Sequence, residues 1–258
     1  MSAFIAPSLN DAGQVALRTE INPADGGSAI REFAIVLDDG GPPTQIARTG
    51  QPAPDGNGTF ARFGFPSLNN DVQVVFRTDI IGASEGGNIG IYRADGATLT
   101  EIARTGKPAP DGNSSFVNFG VEALNDAGQV AFNAQFAGAD GRPNDDYGIY
   151  IFDDVLGITK VARTDDSLLG STIADMRLAT SRSLASDERS GINELGQVAF
   201  SFELADGREG IAIWTAIPEP SSMSLLVLCG VSVSVRRCFL STRRNHHIHF
   251  SAVAFSCG

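Results

Sequence analysis

Most of this chain has neither cysteine nor histidine. Cys229, Cys238 and Cys257, together with His246, His247 and His249, all lie beyond residue 216. The preceding body therefore holds no Ser-His-Asp triad, no Cys-His pair, no Cys/His zinc site and no disulfide framework. Carboxylates, tyrosine, lysine and hydroxyls are the chemistry left to it. Basic charge is also scarce. Residues 1–216 carry 29 of the 30 acidic residues but only 15 of the 19 Lys and Arg. An acidic body argues against nucleic-acid binding, which needs a basic footprint. It suits an extracellular, soluble or cation-binding surface. Aromatic platforms are few as well: Trp214 and the tyrosines Tyr92, Tyr147 and Tyr150 are the whole supply besides phenylalanine. Long amphipathic helical periodicity is missing from the body.

What is present is a repeat. Leu9-Asn10-Asp11-Ala12-Gly13-Gln14-Val15-Ala16-Leu17 returns as Leu124-Asn125-Asp126-Ala127-Gly128-Gln129-Val130-Ala131-Phe132. It returns again as Ile192-Asn193-Glu194-Leu195-Gly196-Gln197-Val198-Ala199-Phe200. A degraded copy begins at Asn69, with Val72 where the glycine should stand. A second element, Ala-Arg-Thr, travels with the first and places Arg48, Arg104 and Arg163 at equivalent positions. A third, Pro-Ala-Pro-Asp-Gly-Asn, occurs at 52–57 and 108–113. Fixed order over four units of about 56–68 residues marks a tandem array.

Each unit reads as four short strands. In the second, these run from Phe60 to Leu68, Gln73 to Ile80, Ile89 to Arg93 and Leu99 to Arg104, with Asp95-Gly96 as a hairpin signal. Asn-Asp-Ala-Gly reads as a turn, because these residues enter left-handed backbone angles cheaply. The expected fold is all-β and β-propeller-like, one small antiparallel sheet per unit, closed or incomplete. A β-sandwich or an open stack of sheets is the alternative. Tyr92, Tyr150 and Trp214 fall in equivalent third strands, which favours core packing over ligand binding. The fourth Ala-Arg-Thr strand is expected near 228–231, where the chain carries something else. The first strand begins at Ala3 with no apolar leader before it, so a start inside a longer protein is expected.

That something else is Ile217-Pro218-Glu219-Pro220-Ser221-Ser222, an apolar run from Met223 to Val235, then Arg236-Arg237. Thirteen helical residues at about 1.5 Å each reach about 20 Å, short of a hydrocarbon core of about 30 Å. Ser224, Ser232 and Ser234 weaken the run further. It suits transient recognition more than permanent anchoring. The domain reading is then 1–216 for the β-repeat body, 217–237 for a sorting or membrane segment with a C-terminal apolar helix, and 238–258 for a disordered or non-native tail.

The body resembles the bacterial tandem-repeat proteins named for Asn-x-x-Gly-x-x-Ala-Phe. Asn125, Gly128, Ala131 and Phe132 carry the likeness, as do Asn193, Gly196, Ala199 and Phe200. Asn10, Gly13 and Ala16 match in part, Leu17 replacing Phe. The tail resembles a PEP-CTERM sorting signal, carried by Pro218, Glu219, Pro220, Arg236 and Arg237. That likeness implies export by bacteria that make extracellular polysaccharide. It also implies transient membrane contact through 223–235 and cutting near Pro-Glu-Pro by an exosortase-like enzyme. The implied product is a non-enzymatic structural or adhesive protein of the cell surface or extracellular matrix, with polysaccharide as a further partner.

Two competing functions are a propeller-type carbohydrate enzyme using paired carboxylates and a calcium-stabilised binding module. Asp38-Asp39, Asp140, Asp145-Asp146 and Asp153-Asp154 could supply calcium oxygens, but they also suit hairpin turns, and none has the spaced calcium-loop pattern. Asp55, Thr59 and Phe60 faintly echo the structural Asp-box of sialidase propellers. Arg48, Arg104 and Arg163 could clamp an anionic sugar; a residue recurring in every unit more simply serves the unit. No catalytic residue, metal site or cofactor is assigned from the sequence.

Overall fold

The computed structural model describes residues 5–21, 32–84, 87–112, 114–137, 143–178, 191–216 and 248–255. All regular structure among them is strand, in antiparallel sheets, and no sheet closes into a barrel. The sorting residues Pro218, Glu219, Pro220, Arg236 and Arg237, and the expected apolar helix, lie outside the described residues. Among the described residues no helix is long and apolar enough to cross a membrane.

Four sheets follow one another along the chain. The first is β1 (Ile5–Leu9), β2 (Val15–Ile21), β3 (Glu32–Asp38) and β4 (Thr44–Arg48), each paired with the next. The second is β5 (Thr59–Phe63), the short β6 (Ser67–Leu68), β7 (Gln73–Ile81), β8 (Ile89–Asp95) and β9 (Thr98–Arg104). Both β5 and β6 pair with β7. The third is β10 (Phe116–Leu124), β11 (Val130–Ala137), β12 (Pro143–Asp153) and β13 (Gly157–Arg163). The fourth is β14 (Ser167–Leu168), β15 (Ser171–Leu178), β16 (Val198–Leu204), β17 (Glu209–Ala216) and β18 (Ile248–Phe255). Antiparallel neighbours need only tight turns, and the sequence supplies them: Asp95 pairs with Thr98 around Gly96, whose φ is +55°.

The fourth strand of the last unit is expected at 228–231, which lies outside the described residues. Its place beside β17 is taken by 248–255, inside the stretch expected as a disordered or non-native tail, with Ala212 opposite Ala252.

Period-two alternation gives each sheet two apolar faces, and the core is three joints between successive sheets. In β7, Val74 and Phe76 face the first sheet with Ala16, Ile35 and Ala47, while Val75 faces the third. In β11, Val130, Phe132 and Phe136 face back toward the second sheet, while Ala131 faces forward to Phe200, Phe202 and Trp214. Burying each such large side chain contributes about 1.5–3 kcal/mol. The first two joints are aromatic: Phe60 meets Tyr92 edge-on at 5.0 Å, and Phe132 stacks on Tyr150 at 5.9 Å. Tyr92 opposes Phe76 and Tyr150 opposes Phe132, but Trp214 opposes Val198, with Ala212 across from Phe200. Trp214 is thus in the equivalent strand and on the same face, two residues further along.

Candidate functional site

The turn that opens each second strand is closed by its asparagine. The Oδ1 atom accepts the N–H of the glutamine four residues on: Gln14 to Asn10 at 3.0 Å, Gln73 to Asn69 at 2.7 Å, Gln129 to Asn125 at 2.9 Å, Gln197 to Asn193 at 3.0 Å. The Nδ2 group donates to the same glutamine's Oε1 at 2.7–2.9 Å. These local bonds suit asparagine, which carries donor and acceptor on one short side chain.

The second Nδ2 hydrogen leaves the unit. Asn10 donates to the carbonyl of Asn69 at 3.2 Å, Asn69 to that of Asn125 at 2.9 Å, and Asn125 to that of Asn193 at 2.9 Å. A parallel row runs one residue further on. The N–H of Asp11 donates to Asn70 Oδ1 at 2.9 Å, that of Asn70 to Asp126 Oδ1 at 2.8 Å, and that of Asp126 to Glu194 Oε2 at 2.9 Å. Asn10, Asn69 and Asn125 are buried by these joints, and Asn193 is exposed. A buried amide is tolerated when its hydrogen bonds are made, so the motif fixes the register of one sheet on the next.

The motif glycine has two tasks. Gly13, Gly128 and Gly196 have φ of +80°, +76° and +69°, a region where a side chain costs energy. At Gly128 a Cβ would also stand 2.7 Å from Gln73 Oε1, and at Gly196 2.7 Å from Gln129 Oε1. The glutamine of one unit thus lies over the glycine of the next. A Cβ on Gly13 would meet nothing within 4 Å. Val72 holds the same turn in the degraded copy with φ +65°.

The recurrent arginines do related work inside each sheet. Arg104, fully buried, donates from Nε to Gly87 O at 2.9 Å, from Nη1 to Asp55 Oδ2 at 2.7 Å, and from Nη2 to Asn57 O. Arg163 repeats this with Asp111 at 2.7 Å and Asp146 at 2.9 Å, its guanidinium 4.4 Å from the centre of the Phe136 ring. Each arginine on a last strand therefore ties down the Pro-Asp-Gly-Asn loop that leads into the first strand of its own sheet. Arg48, the equivalent residue of the first sheet, is exposed. Burial alone would raise the Asp55 carboxyl, but the Asn57 N–H and the Arg104 charge hold it below the usual carboxylate range. The Asp-box-like Asp55 is thus a structural partner of Arg104.

The other singled-out groups are also taken up locally. Phe132 and Phe200 are fully buried core. Asp38 and Asp39 accept the N–H groups of Gly40 and Gly41, and Asp153 accepts those of Val155 and Leu156. Among the described residues no three His, Cys, Asp or Glu side chains converge as a metal site. Asp140 falls outside the described residues, and Asp145 lies on β12. One residue escaped the sequence reading: Arg93 is buried, donates to Gly128 O at 2.6 Å and pairs with Asp154 at 2.7 Å, locking the second sheet to the third. Only its place in an otherwise apolar strand hinted at this.

A motif spent on joints defines an all-β antiparallel protein built by repetition. The chain belongs to a family of unknown function, DUF7453, whose model matches residues 1–224. No curated protein matches it. Among solved structures it is similar to the Hadza microbial sialidase Hz136, at 14% identity and a TM-score of 0.37. The match takes in 82% of this chain and 44% of that one, so the chain spans less than half of that structure. A likeness this low carries no argument about fold or activity.

Proposed function

We propose that this is a non-enzymatic repeat protein, exported and held at the cell surface or in an extracellular polysaccharide matrix in a structural or adhesive role. In this reading the four sheets are blades of a propeller-like array. Residues 217–237 are a PEP-CTERM-type sorting segment, cut near Pro218-Glu219-Pro220 by an exosortase-like enzyme after brief membrane contact through 223–235.

The observation that supports this most is where the recurrent polar residues go. Asn10, Asn69 and Asn125 spend their amides on the neighbouring unit, and Arg104 and Arg163 spend their guanidinium groups on loops of their own sheet. Residues consumed by the array's own bonds serve assembly, whereas a catalytic centre gathers unrepeated groups in one pocket. The acid-rich body supports a soluble, well-hydrated surface outside the cell.

The test is made in the native host. Replacing Pro218-Glu219-Pro220 by alanines is expected to leave the protein uncut and cell-bound. Normal-sized, normally released protein from that variant refutes the sorting assignment. Release of reducing sugar from the host's polysaccharide by the purified chain would favour the carbohydrate-enzyme reading instead.

A further inference from the structure

The joint that recurs three times has two unlike sides, and each side stands unused once. Ile35, Ile91 and Ile149 occupy one register position, opposite Arg18, Arg77 and Asn133, and all three are fully buried by the following sheet. In the fourth sheet that position is Ile211, opposite Ser201, and it is 56% exposed, with Ile213 beside it at 42%. The opposite face of the first sheet is half-buried at Val15, Leu17 and Val36, where the later units have fully buried Val74, Phe76, Val130 and Phe132.

The polar parts match the same way. Among the described residues Asn193 Nδ2 bonds Gln197 and has no partner beyond its own unit, and the Glu194 N–H has none. Across the molecule, among the described residues, the Asn10 carbonyl accepts only the Gly13 N–H, and Asp11 Oδ2 accepts Asn70 while Oδ1 takes no bond. Gly13 keeps open the space that Gln73 fills over Gly128 and Gln129 fills over Gly196. Three separate elements, an apolar face, an amide row and a glycine cradle, thus form complementary halves of one joint.

We propose that the chain associates head to tail with a second copy of itself, the Ile211 face of one molecule receiving the Leu17 face of the next. Asn193 then donates to Asn10 O and the Glu194 N–H to Asp11, as at the three internal joints, and Gln197 covers Gly13, as Gln73 covers Gly128 and Gln129 covers Gly196. Such an interface is heterologous, so growth continues past the dimer or closes into a ring. The molecule's net charge of −11 opposes association, and added salt screens that repulsion.

Sedimentation velocity of the full chain over a micromolar concentration series tests this. Species beyond the monomer are expected to grow with concentration and to increase from low to high salt. Ile211→Asp, at an exposed site, and Leu17→Asp each remove one side, so each variant alone should stay monomeric. Their equimolar mixture should give a one-to-one heterodimer and nothing larger. Should Leu17→Asp fail to fold by circular dichroism, Asp11→Trp at the exposed turn blocks the same side. A wild-type chain that stays monomeric throughout, having closed on itself or joined nothing, overturns the proposal. So does self-association of the Leu17→Asp or Asp11→Trp variant alone, which would mean a face-to-face dimer.

Discussion

The third and fourth units present nearly the same residues to opposite fates. Asn125 and Ile149 are buried by the sheet that follows them; Asn193 and Ile211 hold the same register and stand exposed. The motif asparagine is kept in the fourth unit although, among the described residues, only the first three copies reach a following unit. Their chemistry is therefore that of a joint, recognisable because its side chains reach the next unit and not a central cleft. A site would look different, with residues present once and converging.

That contrast can be broken by paired substitutions. The largest difference is expected at the isoleucine column. Ile149→Ala should cost about 2–5 kcal/mol in urea unfolding, because it opens a cavity between two packed sheets. Ile211→Ala should stay within about 0.5 kcal/mol for the monomer. Equal costs at the two positions would mean that the fourth sheet is covered after all.

A smaller difference is expected at the turns. Gly128→Ala should cost about 2 kcal/mol or more, combining a left-handed backbone with displacement of Gln73. Gly13→Ala should cost about 1 kcal/mol, the backbone contribution alone. If thermal melting shows the same loss for both, the overlying glutamine is not part of the joint.

The mildest effect concerns pH and the loop clasp. The folded Asp55 carboxyl lies below its ordinary value of 3.8, so its ionised form is favoured by folding. Its stabilisation is present above about pH 4 and disappears as pH falls through the lower, folded value. Asp55→Asn should therefore reduce stability at pH 6 and flatten the acid limb of the stability profile below pH 4. A variant whose acid limb matches that of the unsubstituted chain would remove Asp55 from the account.

Much of the fold was legible because strands and tight turns are local. Gln73 to Ile80 was read within one residue of β7, and Asp95-Gly96 gave its hairpin. The Asn-x-x-Gly turn was equally plain. What it touches was not, because Asn69 and Asn125 are 56 residues apart and no local pattern records that Asn69 donates to Asn125 O. The arginines were read as serving each unit, but the partners of Arg104 and Arg163, Asp55 and Asp111, came only with the three-dimensional register. Trp214 looked equivalent to Tyr92 by strand alone, since a two-residue shift along a strand keeps the same face. The sheet-completing β18 was invisible because the chain reaches it only after the long segment 217–247 and without the Ala-Arg-Thr signature.

The motif asparagine joins one unit to the next. Asn125→Ala and Asn193→Ala, compared by equilibrium urea unfolding, test it most directly. Asn125→Ala leaves the Gln129 N–H and one acceptor site on Asn193 O without partners, an expected loss of about 2–3 kcal/mol. Asn193→Ala removes only the exposed turn bonds, an expected loss of about 1 kcal/mol or less. Losses equal within error would show that the asparagine serves its own turn alone and would contradict the claim.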